Sequence, residues 1–296
     1  MDVVLPKPGH YVVAVSGGVD SMVLLDILCK SADLSLTAAH LDHGIRDDSA
    51  EDRKLVEFVS GTLRVPIVCL AANLGPKTSE AEAREARYDF LHKVQKDNNA
   101  DGIITAHHQD DVIETAILNM LRGTGRKGLT SLKSDKNMIR PLLRVPKKQL
   151  VKYAKDNDIK WREDKTNSDE KYMRNFVRHN YVAKMNSAER NKMINLIEDM
   201  HETNKELDIL LVKHLSNQSF GDSIDRAWFC SLPHKVALEF MATWLRQNGI
   251  RDFDSKTLER LVIAAKAGES GKTFPIISSY NMKVYRKHLA LDAQER

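Results

Sequence analysis

Short apolar segments alternate with amphipathic helical patterns along the first half of the chain. The apolar segments are bounded by polar residues, and they begin at Tyr11, Leu34, Pro66 and Gly102. Helical patterns lie between and after them, at 20–29, 50–62, 79–94 and 109–121. Strands separated by helices of about ten to fifteen residues indicate a parallel sheet covered on both faces. The pattern therefore predicts an α/β fold built on a doubly wound parallel sheet.

The pattern changes after about Tyr181. Apolar residues recur at three- and four-residue intervals through 188–215, which predicts one long amphipathic helix. Two further helices are predicted at 235–247 and 255–267, followed by a small β element near the end of the sequence. We expect a catalytic domain over 1–185, a linker helix over 186–216, and a smaller, mostly helical domain over 217–296.

Composition narrows the class of protein. With 42% hydrophobic and 29% charged residues among 296, the sequence is typical of a globular protein in water. No apolar run approaches the roughly 20 residues that a bilayer requires, and the first residues lack the pattern of a secretory signal. The three cysteines are far apart in sequence, so neither a disulfide framework nor a zinc ribbon is indicated. We expect a cytoplasmic protein with no membrane partner.

Positive charge is concentrated locally. The net charge is only +4, but 139–155 carries six Lys or Arg and no acidic residue, and 122–127 adds three more. Such concentrations favour a polyanion such as nucleic acid, since phosphate contacts dominate nonspecific affinity. An ordinary solvated basic face explains the same charges equally well.

The stretch from Ser16 to Ser21, SGGVDS, lies between the first strand and the first helix. Glycines there let backbone amides converge beside a helix N-terminus, which suits a phosphate group. Asp20 is compatible with phosphate if a divalent cation lies between them, which suggests Mg²⁺. The alternative is a glycine turn in which Asp20 caps the helix. Neither a Walker A sequence nor G-x-G-x-x-G is present.

The full string S-G-G-x-D-S after a β-segment resembles the PP-loop of the ATP pyrophosphatases. The resemblance implies an adenine nucleotide alpha hydrolase-like fold that binds ATP. It also implies transfer of AMP to a substrate oxygen with release of pyrophosphate, after which a nucleophile displaces AMP.

Further motifs narrow the resemblance. They are RPLL from Arg140, AREARYDFL from Ala83, HLDHGIRDDSAED from His40, TAHHQDDVIETAILNMLRGTGRKGL from Thr105, and EDKTNSDEKYMRNFVRHNY from Glu163. In this order they are similar to the signature set of the tRNA(Ile)-lysidine synthetase family, in its short form. The resemblance implies ATP-dependent ligation of free lysine to carbon 2 of the wobble cytidine in a tRNA(Ile) with a CAU anticodon. It also implies an adenylated cytidine intermediate, and enzymes of this kind are often homodimers.

The resemblance and the strand ends together give candidate residues for ATP and lysine. Asp42 ends the second strand, and we expect it to accept a proton from the lysine amine; the alternative is that it only caps the following turn. His40 and His43 lack a fourth ligand at a recognisable spacing, so a wall facing the adenine is favoured over zinc. The predicted ATP-binding residues are Ser16, Gly17, Gly18, Val19, Asp20, Ser21, His40 and His107.

Basic residues supply the candidates for RNA contact. Arg122 follows the helix at 109–121, and we expect it to stabilise charge on the transferring phosphate or the activated base. Arg174 and Arg178 share a helix face and could bind RNA phosphates, or could equally pair with Glu163 and Asp164. The predicted tRNA-binding residues are Arg126, Lys127, Arg144, Arg174 and Arg178.

Two aromatic side chains have alternative roles, and three other functions are compatible with parts of the sequence. Trp161 and Tyr172 could stack on an anticodon base, although core packing is favoured for Trp161. A tRNA thiolase on the same fold, a noncatalytic RNA-binding protein and a di-metal phosphoesterase are the alternatives. The cysteine positions disfavour the thiolase. The intact SGGVDS loop with Asp42 and Arg122 disfavours the noncatalytic protein, and a di-metal phosphoesterase does not account for that loop.

Overall fold

The computed structural model describes residues 1–44, 49–72, 74–75, 78–163 and 173–293. The chain forms two compact units: Met1–Arg122 with Leu129–Ile197, and Gly123–Gly128 with Glu198–Arg296. A long helix, α8 (Ser187–Ser216), contributes residues to both units. The predicted limits of 1–185, 186–216 and 217–296 stay a prediction.

The first unit contains a five-stranded parallel sheet with strand order β3-β2-β1-β4-β5. Its strands are β1 (Gly9–Ala14), β2 (Leu34–Asp42), β3 (Ile67–Ala71), β4 (Gly102–Ile104) and β5 (Met138–Ile139). Its helices before α8 are α1 (Val19–Cys29), α2 (Ser49–Thr62), α3 (Glu80–Asp97), α4 (Gln109–Leu121), α6 (Lys147–Asp156) and α7 (Met173–Asn180). The short helix α5 (Arg126–Leu129) has its first three residues in the second unit. The α/β class and the parallel sheet are therefore confirmed.

Alternate residues of the central strand face opposite sides of the sheet, as strand geometry requires. Val13 packs in a core cluster with residues of α1, α2 and α6, whereas Val12 packs in another cluster with residues of α3. Both valines have no exposed surface. Helices therefore cover both faces, which explains why β1 is apolar throughout rather than alternating.

A third cluster joins α4 to α7 and to the first part of α8. Ile113 from α4, Val177 from α7 and Ile197 from α8 are among its buried residues. Packing of α7 on α4 determines where the two arginines of α7 lie relative to the carboxyl end of β4.

The second unit has its own hydrophobic core, in which Phe229, Met241 and Trp244 are buried. Its sheet is antiparallel with strand order β6-β7-β10-β9-β8, so the small predicted β element is part of a five-stranded sheet. These strands are β6 (Ser219–Phe220), β7 (Ser223–Asp225), β8 (Thr273–Ile277), β9 (Tyr280–Val284) and β10 (His288–Ala293). The helices are α9 (Arg226–Ser231), α10 (His234–Gln247) and α11 (Ser255–Ala267), the last two close to the predicted ranges.

The helices of the structure were also compared with the length and hydropathy of membrane spans. No helix within the described parts of the chain combines the length and the apolar character needed to cross a bilayer.

Candidate functional site

The loop after β1 is held by its own serines. The backbone N–H of Ser16 donates to Ser21 Oγ at 3.1 Å, and Ser21 Oγ donates to the carbonyl oxygen of Gly18 at 2.9 Å. The two hydroxyl oxygens are 3.2 Å apart. These bonds fold 16–21 into a compact turn that includes the start of α1, where the first amides of a helix lack partners within the helix.

Gly17 is favoured by the backbone conformation of this turn. Its φ of +86° lies in the left-handed region, which side chains other than glycine rarely adopt. A Cβ at this position would lie 3.4 Å from Asp52 Cβ on α2, which is ordinary van der Waals contact, so the conformation rather than the space favours glycine. The carbonyl oxygen of Gly17 also accepts from the backbone N–H of Arg162 at 3.0 Å. Gly17 therefore anchors the back of the loop.

A cavity of about 730 Å³ opens in front of the loop, within the first unit. It lies at the carboxyl ends of β1, β2 and β4, where the strand order reverses between β1 and β4. Open α/β sheets bind ligands at this switch point, and the volume is in the usual range for small-molecule sites. The predicted residues that line it are Ser16, Gly18, Val19, Asp20, Ser21, His40, Asp42, His107 and Arg178.

Asp20, on the first turn of α1, is paired with a lysine that sequence analysis missed. Lys147 Nζ lies 2.6 Å from both carboxylate oxygens of Asp20. Lys147 is the first residue of α6 and lines the same cavity. The pairing neutralises a carboxylate that would otherwise repel an anion at the loop.

Asp20 is also the carboxylate against which a magnesium site can be tested. Within the described residues, no cluster of three His, Cys, Asp or Glu side chains is arranged to hold a metal ion. Mg²⁺ usually takes one or two carboxylates, with substrate phosphates and water filling the remaining positions. Asp20 fits that donor set as a single ligand, provided that Lys147 leaves at least one of its oxygens.

His40 has one satisfied and one unsatisfied ring nitrogen. Its Nδ1 lies 2.9 Å from the carbonyl oxygen of Val15, which can only accept, so Nδ1 carries the proton. The side chain is buried, and Nε2 has no hydrogen-bond partner in the described structure. An unpaired acceptor at a cavity wall is suited to an N–H group of a ligand.

His107 and Asp111 carry strongly shifted pKa values. Burial lowers the pKa of His107 to about 3, which outweighs the opposing effect of Asp111. Burial acts to raise the pKa of Asp111, but His108, His107 and Arg174 more than offset it and lower the value to about 2. Near neutral pH, His107 is therefore neutral and Asp111 ionised.

Arg174 and Arg178 of α7 bind acidic residues of α4. Arg178 Nε donates to Glu114 Oε1 at 2.7 Å, and Arg174 Nε donates to Glu114 Oε2 at 3.0 Å. Arg174 also donates to Asp111 Oδ1 at 3.2 Å. Glu114 has no exposed surface. Both arginines therefore form ion pairs, as the alternative to RNA binding expects, but the pairs shown are with Asp111 and Glu114 of α4 and not with the expected acidic residues. Of those expected partners, Asp164 lies outside the described residues.

Asp42 combines two of its predicted features. It lines the cavity at the end of β2, and its Oδ1 accepts from the backbone N–H of Gly44 at 2.8 Å. The turn-capping alternative therefore accounts for one carboxylate oxygen, and the role of Asp42 as a base stays a prediction.

The other predicted basic residues do not line the cavity. Arg122 follows the end of α4 and is exposed, and Arg144 is also exposed. Arg126 belongs to the second unit, where it binds Asp208 Oδ1 at 2.6 Å and Glu239 Oε2 at 3.1 Å. Lys127 Nζ also lies 2.7 Å from Asp208, at Oδ2.

The two aromatic candidates differ. Trp161 packs against the core cluster of α1 and also lines the cavity, so core packing and contact with a ligand are both available to it. Tyr172 lies outside the described residues.

Sequence analysis missed several cavity residues because their neighbours are distant in the chain. Asp52 of α2, which is buried, accepts from Arg162 Nε at 2.7 Å, and both line the cavity. Lys147 is 127 positions from Asp20. The only sequence signal for Lys147 is the basic run at 139–155, which does not distinguish it from neighbouring lysines.

Comparison with known proteins gives both a family and relatives. Residues 4–185 match the family model of the PP-loop domain. The tRNA(Ile)-lysidine synthase of Thermotoga sp. (strain RQ2) is 40% identical over 191 residues, covering 61% of this chain and 46% of that protein. That of Thermosipho africanus (strain TCF52B) is 34% identical over 264 residues, covering 84% of this chain and 60% of that protein.

A solved structure supports the fold alone. The U34-tRNA thiolase NcsA from Methanococcus maripaludis, with its 4Fe–4S cluster, superposes with a TM-score of 0.54 at 18% identity. The match covers 67% of this chain and 74% of the thiolase.

The chain spans about half the length of the curated relatives it matches, from 46% to 60% for the two above. The family match covers 4–185, which is more than half of the 296 residues and includes every described residue that lines the cavity. The chain therefore belongs to the PP-loop domain family.

Proposed function

We propose that this chain is an ATP-dependent ligase that forms lysidine in tRNA. In this reaction ATP adenylates the 2-oxygen of the wobble cytosine in a tRNA(Ile) with a CAU anticodon. The ε-amine of free lysine then attacks carbon 2 and displaces AMP. The observation that carries the proposal is the cavity at SGGVDS, because its wall lies within 4–185, which matches the PP-loop domain. Relatives named tRNA(Ile)-lysidine synthase, which cover 61% and 84% of this chain, supply the reaction.

The adenylation step uses the loop. A bond forms between the cytosine 2-oxygen and the α-phosphorus of ATP, and the bond from that phosphorus to the bridging oxygen breaks, releasing pyrophosphate. Amides at the start of α1 are proposed to bind the anionic oxygens. The hydroxyls of Ser16 and Ser21 bond within the loop in the free protein, and we propose that they maintain its shape and turn to the phosphates when ATP binds. Magnesium held by Asp20 would neutralise phosphate charge when it is bound with the nucleotide.

The lysine step needs a free amine. The side chain of lysine has a pKa of about 10.4, so only about one molecule in a thousand is unprotonated at neutral pH. Asp42 is proposed to accept the proton as the new C–N bond forms and the C–O bond to AMP breaks. Its position in the cavity wall supports this role.

RNA binding is proposed for Arg122, Arg126, Lys127, Arg144, Arg174 and Arg178. Exposure of Arg122 and Arg144 supports phosphate contacts for these two. The other four are engaged with acidic residues, and we propose that they orient the polypeptide that meets the RNA. The proposed substrate also implies a cytoplasmic protein, and the resemblance implies a homodimer, which light scattering would test.

A thiolase is the alternative on this fold, but cysteine chemistry disfavours it. Burial raises the pKa of Cys29 to about 11, and burial also raises the pKa of Cys69. Both thiols are therefore poor sources of thiolate near neutral pH. A noncatalytic RNA-binding role is opposed by the loop geometry, in which Gly17 keeps a conformation that other residues rarely adopt.

Pyrophosphate release separates these functions. With ATP, unmodified tRNA(Ile) and lysine, we expect release that requires the tRNA, and multiple turnovers that require lysine. A noncatalytic protein would release none. Release that needs a sulfur donor instead of lysine would contradict the proposal and favour the thiolase.

A further inference from the structure

Lys147 and Asp20 form an ion pair inside the proposed nucleotide site. Both oxygens of the carboxylate are 2.6 Å from the ammonium nitrogen. The side chains keep 37% (Lys147) and 27% (Asp20) of their surface exposed, so a ligand in the cavity can reach both. This pair is therefore accessible in a way that a buried structural ion pair is not.

The other charged groups around this pair have their own partners. Asp110 Oδ1 lies 2.7 Å from Arg190, and Asp111 Oδ1 lies 3.2 Å from Arg174. His108 Nε2 lies 3.5 Å from Asp111 and 3.7 Å from Asp20. Lys147 is thus a cation at the loop whose acidic partner is itself on the loop, so an incoming anion competes directly for it.

A purely structural role explains the pair less well. The helices α1 and α6 already share a hydrophobic core, to which Leu150 and Ala154 contribute from α6. A polar tie also joins them, because Tyr153 hydroxyl donates to Asp26 at 2.8 Å and accepts from Lys30 at 2.8 Å. The helices therefore have apolar and polar contacts that do not involve Lys147.

We propose that Lys147 is a phosphate-binding residue that is held on Asp20 in the free protein and transfers to the phosphates of ATP. This inference rests on the proposed use of ATP. An ammonium group has three donors on a flexible stem, so a small rotation exchanges one set of anionic oxygens for another. The transfer also releases Asp20, whose carboxylate then becomes available to a magnesium ion that arrives with the nucleotide.

The test compares Lys147→Gln with Lys148→Gln, an exposed lysine one position along the same helix. Isothermal titration with ATP, inorganic pyrophosphate and adenosine measures the three affinities, with and without Mg²⁺. Charge-assisted hydrogen bonds contribute enough to predict an affinity loss of about 10- to 100-fold for ATP and pyrophosphate in Lys147→Gln. The adenosine affinity of Lys147→Gln should stay within about twofold of the wild-type value. In Lys148→Gln all three affinities should stay within the same limit, and in Lys147→Arg the ATP and pyrophosphate affinities should do so.

A second variant separates direct contact from simple exposure of Asp20. Loss of Lys147 leaves an unpaired carboxylate, which by itself would repel phosphate. If that were the whole effect, adding Asp20→Asn to Lys147→Gln would restore pyrophosphate affinity in the absence of Mg²⁺. We expect only the part of the affinity that this repulsion removes to return, because the contact with the ammonium group stays lost; full restoration would overturn the inference.

The remaining outcomes are also distinct. Normal ATP and pyrophosphate binding by Lys147→Gln, in a protein whose wild-type form binds ATP, would overturn the role of Lys147 and leave the proposed function intact. Equal losses for adenosine and ATP would indicate general distortion and would also overturn it. A wild-type chain that binds no ATP would contradict the proposed function itself.

Discussion

His107 illustrates how a single buried side chain makes stability depend on pH. Its folded-state pKa of about 3 lies below the ordinary value of 6.5 because burial disfavours the imidazolium. Between these two values the unfolded chain binds a proton that the folded chain does not. The folded state therefore loses stability as pH falls from 6.5 toward 3.

Replacing His107 with Gln should remove this contribution. The stability difference between wild type and His107→Gln is expected to be constant above pH 7. Below pH 6 the free energy of unfolding of the wild type should fall relative to that of the variant, by up to about 1.4 kcal/mol per pH unit. Urea unfolding at pH 7.5, 6.5, 5.5 and 5.0 measures it. A difference that does not change over this range would contradict the assignment of a neutral, buried His107.

Asp42→Asn tests the proposed base without removing the turn. An Asn oxygen can still accept from the N–H of Gly44, so the local backbone should persist. Lysine transfer should slow by about 100-fold or more, which is the usual contribution of a general base, while adenylation changes little. Rapid-quench analysis of adenylated and lysidine-containing tRNA resolves the two steps. Equal slowing of both would exclude Asp42 as the base.

The sequence predicts residues of the site well when they belong to one loop or follow one strand. Eight of the predicted residues that line the cavity lie after β1 or β4 or in the last residues of β2, because parallel strands end at the same edge of the sheet. Lys147 could not be predicted in this way, since its contact with Asp20 depends on how α6 packs on α1. Arg126 was predicted for RNA by charge alone, and no local pattern reveals its carboxylate partners.

At the scale of elements, Glu114 joins α7 to α4. Its two oxygens accept from Arg174 and Arg178. Burial alone would lower the pKa of Arg178, but the hydrogen bond to Glu114 and its charge raise that pKa overall. The carboxylate has no contact with solvent, so these bonds replace its hydration. Burial of charge of this kind is favourable only while every partner remains in place.

Glu114→Gln should therefore destabilise the first unit by about 3 kcal/mol, because two guanidinium groups lose a buried anion. The matched control is Glu57→Gln, which removes an exposed i,i+4 partner of Arg53 on α2 and should leave the unfolding midpoint unchanged. Urea denaturation followed by circular dichroism gives both values. Similar midpoints for the two variants would refute the structural importance of this cluster.

Elements with a clear period were predicted within a few residues, and short ones were not. The helix at 109–121 agrees with α4, and the helix at 255–267 agrees with α11. The two-residue strand β5 has no period to detect, and it forms because β4 offers a free edge. Likewise, β6 and β7 are too short to be recognised alone, although they pair in the sheet of the second unit.

At the scale of the molecule, strand order explains why the first unit carries a site. The strand order reverses between β1 and β4, so the connections that follow these two strands run to opposite sides and leave a crevice between them. The loop at 16–21 and the histidines after β4 line that crevice. The alternation of strands and helices predicts a doubly wound sheet but not its strand order. The location of the cavity could therefore be expected in general, whereas its volume and its ion pairs required the structure.

The central claim is that ATP activates an RNA base in this cavity and that lysine replaces the adenylate. The most direct measurement is mass spectrometry of nucleosides from tRNA(Ile) that has been incubated with the protein, ATP, Mg²⁺ and isotopically labelled lysine. We predict a labelled lysidine nucleoside in place of the wobble cytidine, absent when ATP is omitted. A cytidine that stays unmodified in the complete reaction, or a modified base without the label, would contradict the account.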